Sequence, residues 1–236
     1  MNYAIIAAGE GSRLRNEGVN VPKPLVEVMG ESLIVRMIRI FEQNHAESIS
    51  IIINENMPVV KRIVDSLEVG CALTVVEAST ESSMHSFYEL SKVMERGPFC
   101  LTTVDTVFRE EDFARFIEAF EMKQECDGLM LVTSFVDDEK PLYVEVDEDM
   151  IIVGFHDEGN CGTKYVSGGV YALREKAFDV LHDCIKGGVK RMRNYQRCML
   201  TAGLRLKAYA VDKVVDIDHR GDIEVAQQFL QGGNQR

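Results

Sequence analysis

Tyr3-Ala4-Ile5-Ile6-Ala7-Ala8-Gly9-Glu10-Gly11-Ser12-Arg13-Leu14 decides how the rest of the chain is read: six apolar residues run into two glycines and an arginine. A short unbroken apolar run bounded by glycine reads as a buried strand. The glycines then let the main chain take φ > 0 and come close to an anion. Ten residues after Arg13 stands Pro22-Lys23-Pro24-Leu25. Together the two segments offer backbone N–H groups, a guanidinium able to grip phosphate bidentately and an ammonium acting as a compact point charge. Glycines after a strand are also ordinary turn formers, so the phosphate reading rests on the pair of segments. It is neither of the two better-known phosphate loops, having no third glycine of the dinucleotide type and no Gly-Lys-Ser/Thr ending.

Outward from this stretch, strand-like and helix-like patterns alternate, as expected of parallel strands joined by crossover helices. Strands are expected at 3–8, 48–53, 73–76 and 99–104. Ile34, Met37, Ile38 and Phe41 mark one helix face, and Phe113, Phe116, Ile117 and Phe120 another. Further helices are expected near 57–68 and from Ser83, the latter closed by Gly97-Pro98. From about 127 the texture changes to strands at 128–136, 142–147, 150–155 and 164–173, then helices near 174–186 and 190–202. Strands at 204–211 and 213–217, a helix near 220–231 and a frayed tail from Gly232 close the chain.

The 236 residues and 46% apolar content suit one α/β domain with a sizeable core. A formal charge of −12 spread over the length disfavours nucleic acid or an anionic membrane as partner. An anionic substrate must then meet a local cationic site. Cys71, Cys100, Cys126, Cys161, Cys184 and Cys198 include no Cys-x-x-Cys pair and read as reduced thiols. The N-terminal apolar run is too short for a signal or membrane span, so a cytoplasmic location is expected.

Three further segments carry candidate chemistry. Leu101-Thr102-Thr103-Val104-Asp105 places a carboxylate at the carboxyl end of a strand, where open α/β sheets bind ligands. Val214-Val215-Asp216-Ile217-Asp218-His219 repeats the arrangement, with Asp216 and Asp218 on one side of the chain. Carboxylates from two strands suit Mg²⁺, which takes its remaining ligands from water and substrate phosphate. Thr80-Glu81-Ser82-Ser83-Met84-His85 is a hydroxyl-rich helix entry in which Ser82 or Ser83 reads first as a cap. Ser167-Gly168-Gly169-Val170-Tyr171 puts two glycines inside a strand, which implies either a close ligand or a β-bulge.

The run from Ala7-Ala8-Gly9 to Arg13-Leu14, followed by Pro22-Lys23-Pro24-Leu25-Val26 and Gly30, resembles the signature of the sugar-phosphate nucleotidylyltransferases. The resemblance covers nearly the whole chain. It implies a Rossmann-like three-layer α/β/α domain over 1–236 with a mostly parallel central mixed sheet, residues 1–125 binding the NTP and 126–236 the acceptor. It assigns the nucleotide to Ala7, Ala8, Gly9, Gly11, Ser12 and Arg13, with Thr80, Ser82 and Ser83 near the base and ribose. Arg13, Lys23 and Asp105 become the catalytic residues, and Mg²⁺ falls to Asp105 with Asp216 or Asp218. Gly168, Gly169 and Tyr171 are similar to the family strand that borders the acceptor. The family's Phe-x-Glu-Lys-Pro is replaced by Phe155-His156-Asp157-Glu158-Gly159, which leaves Lys164 as the substitute for the missing lysine.

The implied reaction moves a nucleotidyl group from an NTP to a sugar 1-phosphate or similar phosphorylated small molecule and releases pyrophosphate. Neither nucleic acid nor a membrane takes part, and oligomeric state is left open. The alternatives are a phosphocholine or alditol-phosphate cytidylyltransferase and a catalytically silent nucleotide-binding module. Arg13, Lys23 and Asp105 argue against the silent one.

Overall fold

The computed structural model describes residues 1–122, 125–136, 139–159 and 163–232; Cys161 and the tail from 233 lie outside them. The opening apolar run forms strand β1 (Asn2–Ala7), buried throughout. Its side chains alternate: Tyr3, Ile5 and Ala7 enter one core, Ala4, Ile6 and Ala8 the other.

After β1 the chain makes a short helix α1 (Ser12–Asn16), a 3₁₀ turn over Lys23–Leu25 and a two-residue ribbon, β2 (Glu27–Val28) and β3 (Glu31–Ser32). The alternating part follows as α2 (Leu33–Gln43), β4 (Ser48–Ile53), α3 (Pro58–Asp65), β5 (Ala72–Glu77), α4 (Ser83–Ser91) and β6 (Phe99–Thr103). A two-residue strand β7 (Thr106–Val107) precedes α5 (Glu110–Met122). The second half contains β8 (Gly128–Thr133), β9 (Tyr143–Val146), β10 (Ile152–His156) and β11 (Tyr165–Leu173). Helices α6 (Lys176–Lys186) and α7 (Met192–Thr201), β12 (Leu206–Val211), β13 (Val215–Asp216) and α8 (Arg220–Gln231) complete it.

Strands β5, β4, β1 and β6 lie side by side and parallel, and antiparallel β11 then joins β6 to β8 and β9. β12 adds a further parallel pair with β8. The apolar stripes of α2, α3, α5 and α8 cover one face of this mixed sheet, and those of α4, α6 and α7 the other. This is the three-layer α/β/α arrangement expected. One core centres on stacked rings: Phe113 lies 5.6 Å from Phe41 and 4.8 Å from Phe108. No helix among the described residues is long and apolar enough to cross a membrane. The five described cysteines are free thiols.

An ion network braces the connection that follows Asp105. Glu110 accepts from Arg36 Nη1 and Arg39 Nη1, both at 2.9 Å, while Arg36 also reaches the Phe108 carbonyl at 3.1 Å. Burial depresses the Arg36 guanidinium, which nonetheless stays charged at neutral pH. Glu110 is held below the usual glutamate range, foremost by the Arg39 hydrogen bonds. A depressed carboxyl contributes stability above its unfolded value of about 4.3 and loses it as pH falls through the folded value. Glu110→Gln is therefore expected to cost on the order of 1 kcal/mol at neutral pH, since Glu110 is partly exposed. Urea unfolding followed from neutral to acid pH should give the variant a shallower acid limb than the parent.

Candidate active site

Strand β1 delivers Ala8 and Gly9 to the carboxyl edge of the sheet, where α1 begins. Gly11 stands at the N-cap of α1 with φ +61°, and a Cβ there would lie 2.9 Å from the Cβ of Lys23. Glycine is thus required twice, by backbone conformation and by the approach of the lysine segment. Gly9 has open space where its Cβ would be, so the loop wall is bare at that point. Arg13 projects from α1 and stays exposed, whereas Lys23 opens the 3₁₀ turn and is only 9% exposed.

Lys23 Nζ pairs with Asp105 and, at 2.8 Å, with Asp218 Oδ1; Arg13 Nη1 meets Asp218 Oδ2 at 2.9 Å. The sequence expected these four residues to work together, and the fold brings them into contact. The agent is a ribbon: β13, inside the strand expected at 213–217, pairs antiparallel with the unexpected β7, setting Asp216 opposite Thr106, and the Ile217 amide donates to the Asp105 carbonyl at 3.0 Å. Burial pulls the Lys23 ammonium down, but Asp105 and Asp218 outweigh it and raise it above its ordinary value. Burial likewise pushes Asp218 up, and the bonds and charges of Lys23 and Arg13 bring it below the usual range.

Asp216 behaves in the opposite way. The residue as a whole is exposed, whereas its carboxyl is crowded by neighbouring protein atoms. That crowding first, and then the neighbouring carboxylates of Asp105 and Asp218, raise it well above the ordinary aspartate range. Three carboxylates at one strand edge therefore face two cations, an excess of negative charge that suits a further cation. Among the described residues no cluster of three or more metal-ligating side chains is close enough to cage an ion by itself. One or two carboxylates are, however, all that a protein need supply to Mg²⁺ when substrate phosphate and water complete its shell.

A cleft of about 480 Å³ opens beside this constellation. Ala8, Gly9, Gly11, Ser12 and Arg13 line one wall, and Thr80, Ser82 and Ser83 line another. Ala7 does not reach it, being the buried last residue of β1. Asn54 lines it too and was not singled out from the sequence: its Nδ2 donates to the Ala8 carbonyl at 3.1 Å, and its Oδ1 accepts from the Asn56 amide. The available signal was its place one residue past β4, at a carboxyl strand end. Ser82 occupies the N-cap of α4, yet its hydroxyl does not cap; it bonds His85 Nδ1 at 2.9 Å.

A second cleft of about 310 Å³ adjoins the first, sharing Ser82, Ser83 and Thr103 and reaching Gly169, Tyr171 and Asp216. Two expected acceptor residues lie elsewhere. Lys164 packs over the Tyr165 ring and does not line the cleft, and Gly168 faces inward against Leu131 and Val214. The register between β11 and β8 shifts from Ser167 to Tyr171, and Gly169 has φ +72°, so the glycines make a β-bulge. In place of Lys164, the cleft carries Lys140, Arg191 and Arg193, together with Gln196. Arg193 is held by Asp157 at 2.6 Å, at the position where the family motif was interrupted. Helical periodicity placed α7 but could not reveal that its first turn faces Asp157 and β11.

Residues 3–192 match the MobA-like NTP transferase domain family, and the chain belongs to that family of nucleotidyltransferases. No curated protein matches it. Among solved structures, the inositol-1-phosphate CTP transferase of T. maritima superposes with a TM-score of 0.78 at 20% identity, covering 98% of this chain and 96% of that one. A Bacillus anthracis protein described as a glucose-1-phosphate thymidylyltransferase, in complex with sucrose, gives 0.83 at 18% identity over 98% and 95%. HddC from Yersinia pseudotuberculosis gives 0.73 at 19% identity over 97% and 98%. The fold is shared throughout.

Gly168→Ala separates the bulge from a ligand contact. Its Cβ would lie 2.6 Å from Leu131 Cδ2 and 3.1 Å from the Leu131 carbonyl, with Leu131 fully buried. The expected outcome is a loss of about 1–3 kcal/mol in chemical denaturation, with substrate KM values unchanged in the folded protein.

Proposed function

We propose that this nucleotidyltransferase transfers the nucleotidyl group of an NTP to a phosphorylated small molecule, a sugar 1-phosphate or a close relative, with release of pyrophosphate. The observation that carries the reading is the convergence of Arg13, Lys23, Asp105 and Asp218 on the lining of the larger cleft, which adjoins a second, smaller one. In this reading the larger cleft takes the NTP and the smaller the acceptor. The titles of two structural neighbours, a CTP transferase acting on inositol 1-phosphate and a glucose-1-phosphate thymidylyltransferase, support the same class of acceptor.

The acceptor phosphate oxygen attacks the α-phosphorus in line, and pyrophosphate departs. No side-chain nucleophile is required, because positioning and electrostatic stabilisation suffice for such transfers. Arg13 and Lys23 draw the phosphates out along the glycine loop, a triphosphate competing with Asp105 and Asp218 for their charges. Asp105, with Asp216 or Asp218, would hold Mg²⁺, which supplies neutralisation of the charge that develops on the phosphate oxygens.

The primary experiment is pyrophosphate release with a panel of NTPs and phosphorylated acceptors; no release with any combination overturns the proposal. Arg13→Ala is expected to lower kcat/KM by about 2–4 kcal/mol with little change in stability, since Arg13 is exposed. Lys23→Ala should lose as much activity and also destabilise the fold, because it takes the cation from Asp105 and leaves Asp218 with only the exposed Arg13.

The metal carries its own check. Activity should vanish in excess EDTA and return with Mg²⁺, and Asp105→Asn should abolish turnover while the variant still unfolds cooperatively. Full activity without metal, or in Asp105→Asn, would show that the carboxylates hold no ion.

A further inference from the structure

The smaller cleft contains an orphaned polar group. Gln196 lies on α7, is 3% exposed and lines the cleft. Its Nε2 donates to the Tyr171 hydroxyl at 3.2 Å, which anchors the amide, while its Oε1 is buried and has no partner. Tyr171 is itself buried on β11, so the pair is a rigid element of the wall. A buried carbonyl without a donor carries a desolvation penalty that packing alone does not recover, and native proteins leave few such groups without a reason.

Around this group the cleft is cationic. The Arg191 guanidinium is exposed and has no partner among the described residues, and Arg193 and Lys140 stand on the same rim. α7 begins at Met192 without a side-chain cap, and so does α4 at Ser83, so the first turns of both helices border the cleft with their positive ends. Among the described residues Tyr171 is the one aromatic side chain on the lining. A quaternary ammonium is recognised by aromatic faces and by negative charge, and here it would meet one ring and three cations against the single carboxyl of Asp216.

We propose that Gln196, held by Tyr171, determines acceptor specificity by hydrogen-bonding a hydroxyl of a polyhydroxylated phosphate ester, with Arg191 and Arg193 drawing in its negative charge. The proposal rests on the transfer reading above and narrows its acceptor. A hydroxyl both donates and accepts, so it satisfies the free end of the amide, whereas the trimethylammonium of phosphocholine does neither. A site built around a hydrogen bond to a substrate hydroxyl rejects the analogue lacking it far more strongly than an apolar wall rejects a methylene.

The test measures pyrophosphate release with glucose 1-phosphate, inositol 1-phosphate and phosphocholine, followed by singly deoxygenated analogues of the better hydroxylated acceptor. In the wild-type protein the hydroxylated acceptors should exceed phosphocholine at least tenfold in kcat/KM, and one deoxy analogue should lose about tenfold. In Gln196→Met, which keeps the volume but removes both hydrogen-bonding ends, that deoxy penalty should shrink to about one, with the NTP KM unchanged. A merely structural role would leave the penalty in place. Equal turnover of phosphocholine, or a penalty retained in Gln196→Met, overturns this inference while the transfer reading stands. Release with no acceptor overturns both. If Gln196→Met fails to fold, the wild-type series alone decides, since the loss of no hydroxyl mattering contradicts the proposal.

Discussion

One ammonium, Lys23 Nζ, bridges the carboxylates of Asp105 and Asp218, and the candidate site takes its geometry from that contact. The three residues come from the connection after β1, the end of β6 and the segment after β13. Lys23 is nearly buried, so removing it from water is costly and only the two carboxylates offset the cost. Gly11 makes the approach possible, because any side chain there would strike the Lys23 side chain. A second tie runs in parallel: Glu17, just past α1, accepts from the His219 ring at 2.6 Å and from the Arg220 amide at 2.7 Å. The glycine-rich start and the C-terminal helix are thereby held against each other.

The protein meets an anionic substrate with an overall charge of −12, and it does so by concentrating its cations. Arg13 and Lys23 serve one cleft, Arg191 and Arg193 the other, and each set is positioned by an acidic residue: Asp218 and Asp105 for the first, Asp157 for Arg193 in the second. The fixed carboxylates keep the cations from spreading into solvent. Asp216, its carboxyl raised by crowding and by two neighbouring carboxylates, marks where negative charge is in excess.

Much of this arrangement was legible beforehand because it depends on local rules. A buried parallel strand reads as a continuous apolar run, and an amphipathic helix as a stripe of period 3.6, so β1, β4, β6, α2 and α5 stood out. The short pieces did not. β7, β2 and β3 are two residues each, too short for any periodicity, and α1 is a single turn and a half entered from a left-handed glycine. Lys164 stands over the adjacent Tyr165 ring and off the smaller cleft, and a Cβ on Gly168 would strike Leu131, contacts that no local pattern announces.

By itself the sequence determined the alternating fold, the glycine turn after the first strand and the identity of the charged residues at the strand ends, because backbone propensity, hydrophobic period and strand-end placement act over a few residues. Tertiary structure alone decided which charges meet and which side of the smaller cleft is polar. The β7–β13 ribbon selects Asp218 over Asp216 as the partner of Lys23, and the packing of α7 against β10, α4 and α6 buries Gln196 beside Tyr171. Those contacts join residues 195 and 25 positions apart, a separation at which no local pattern constrains the chain and only burial and register do.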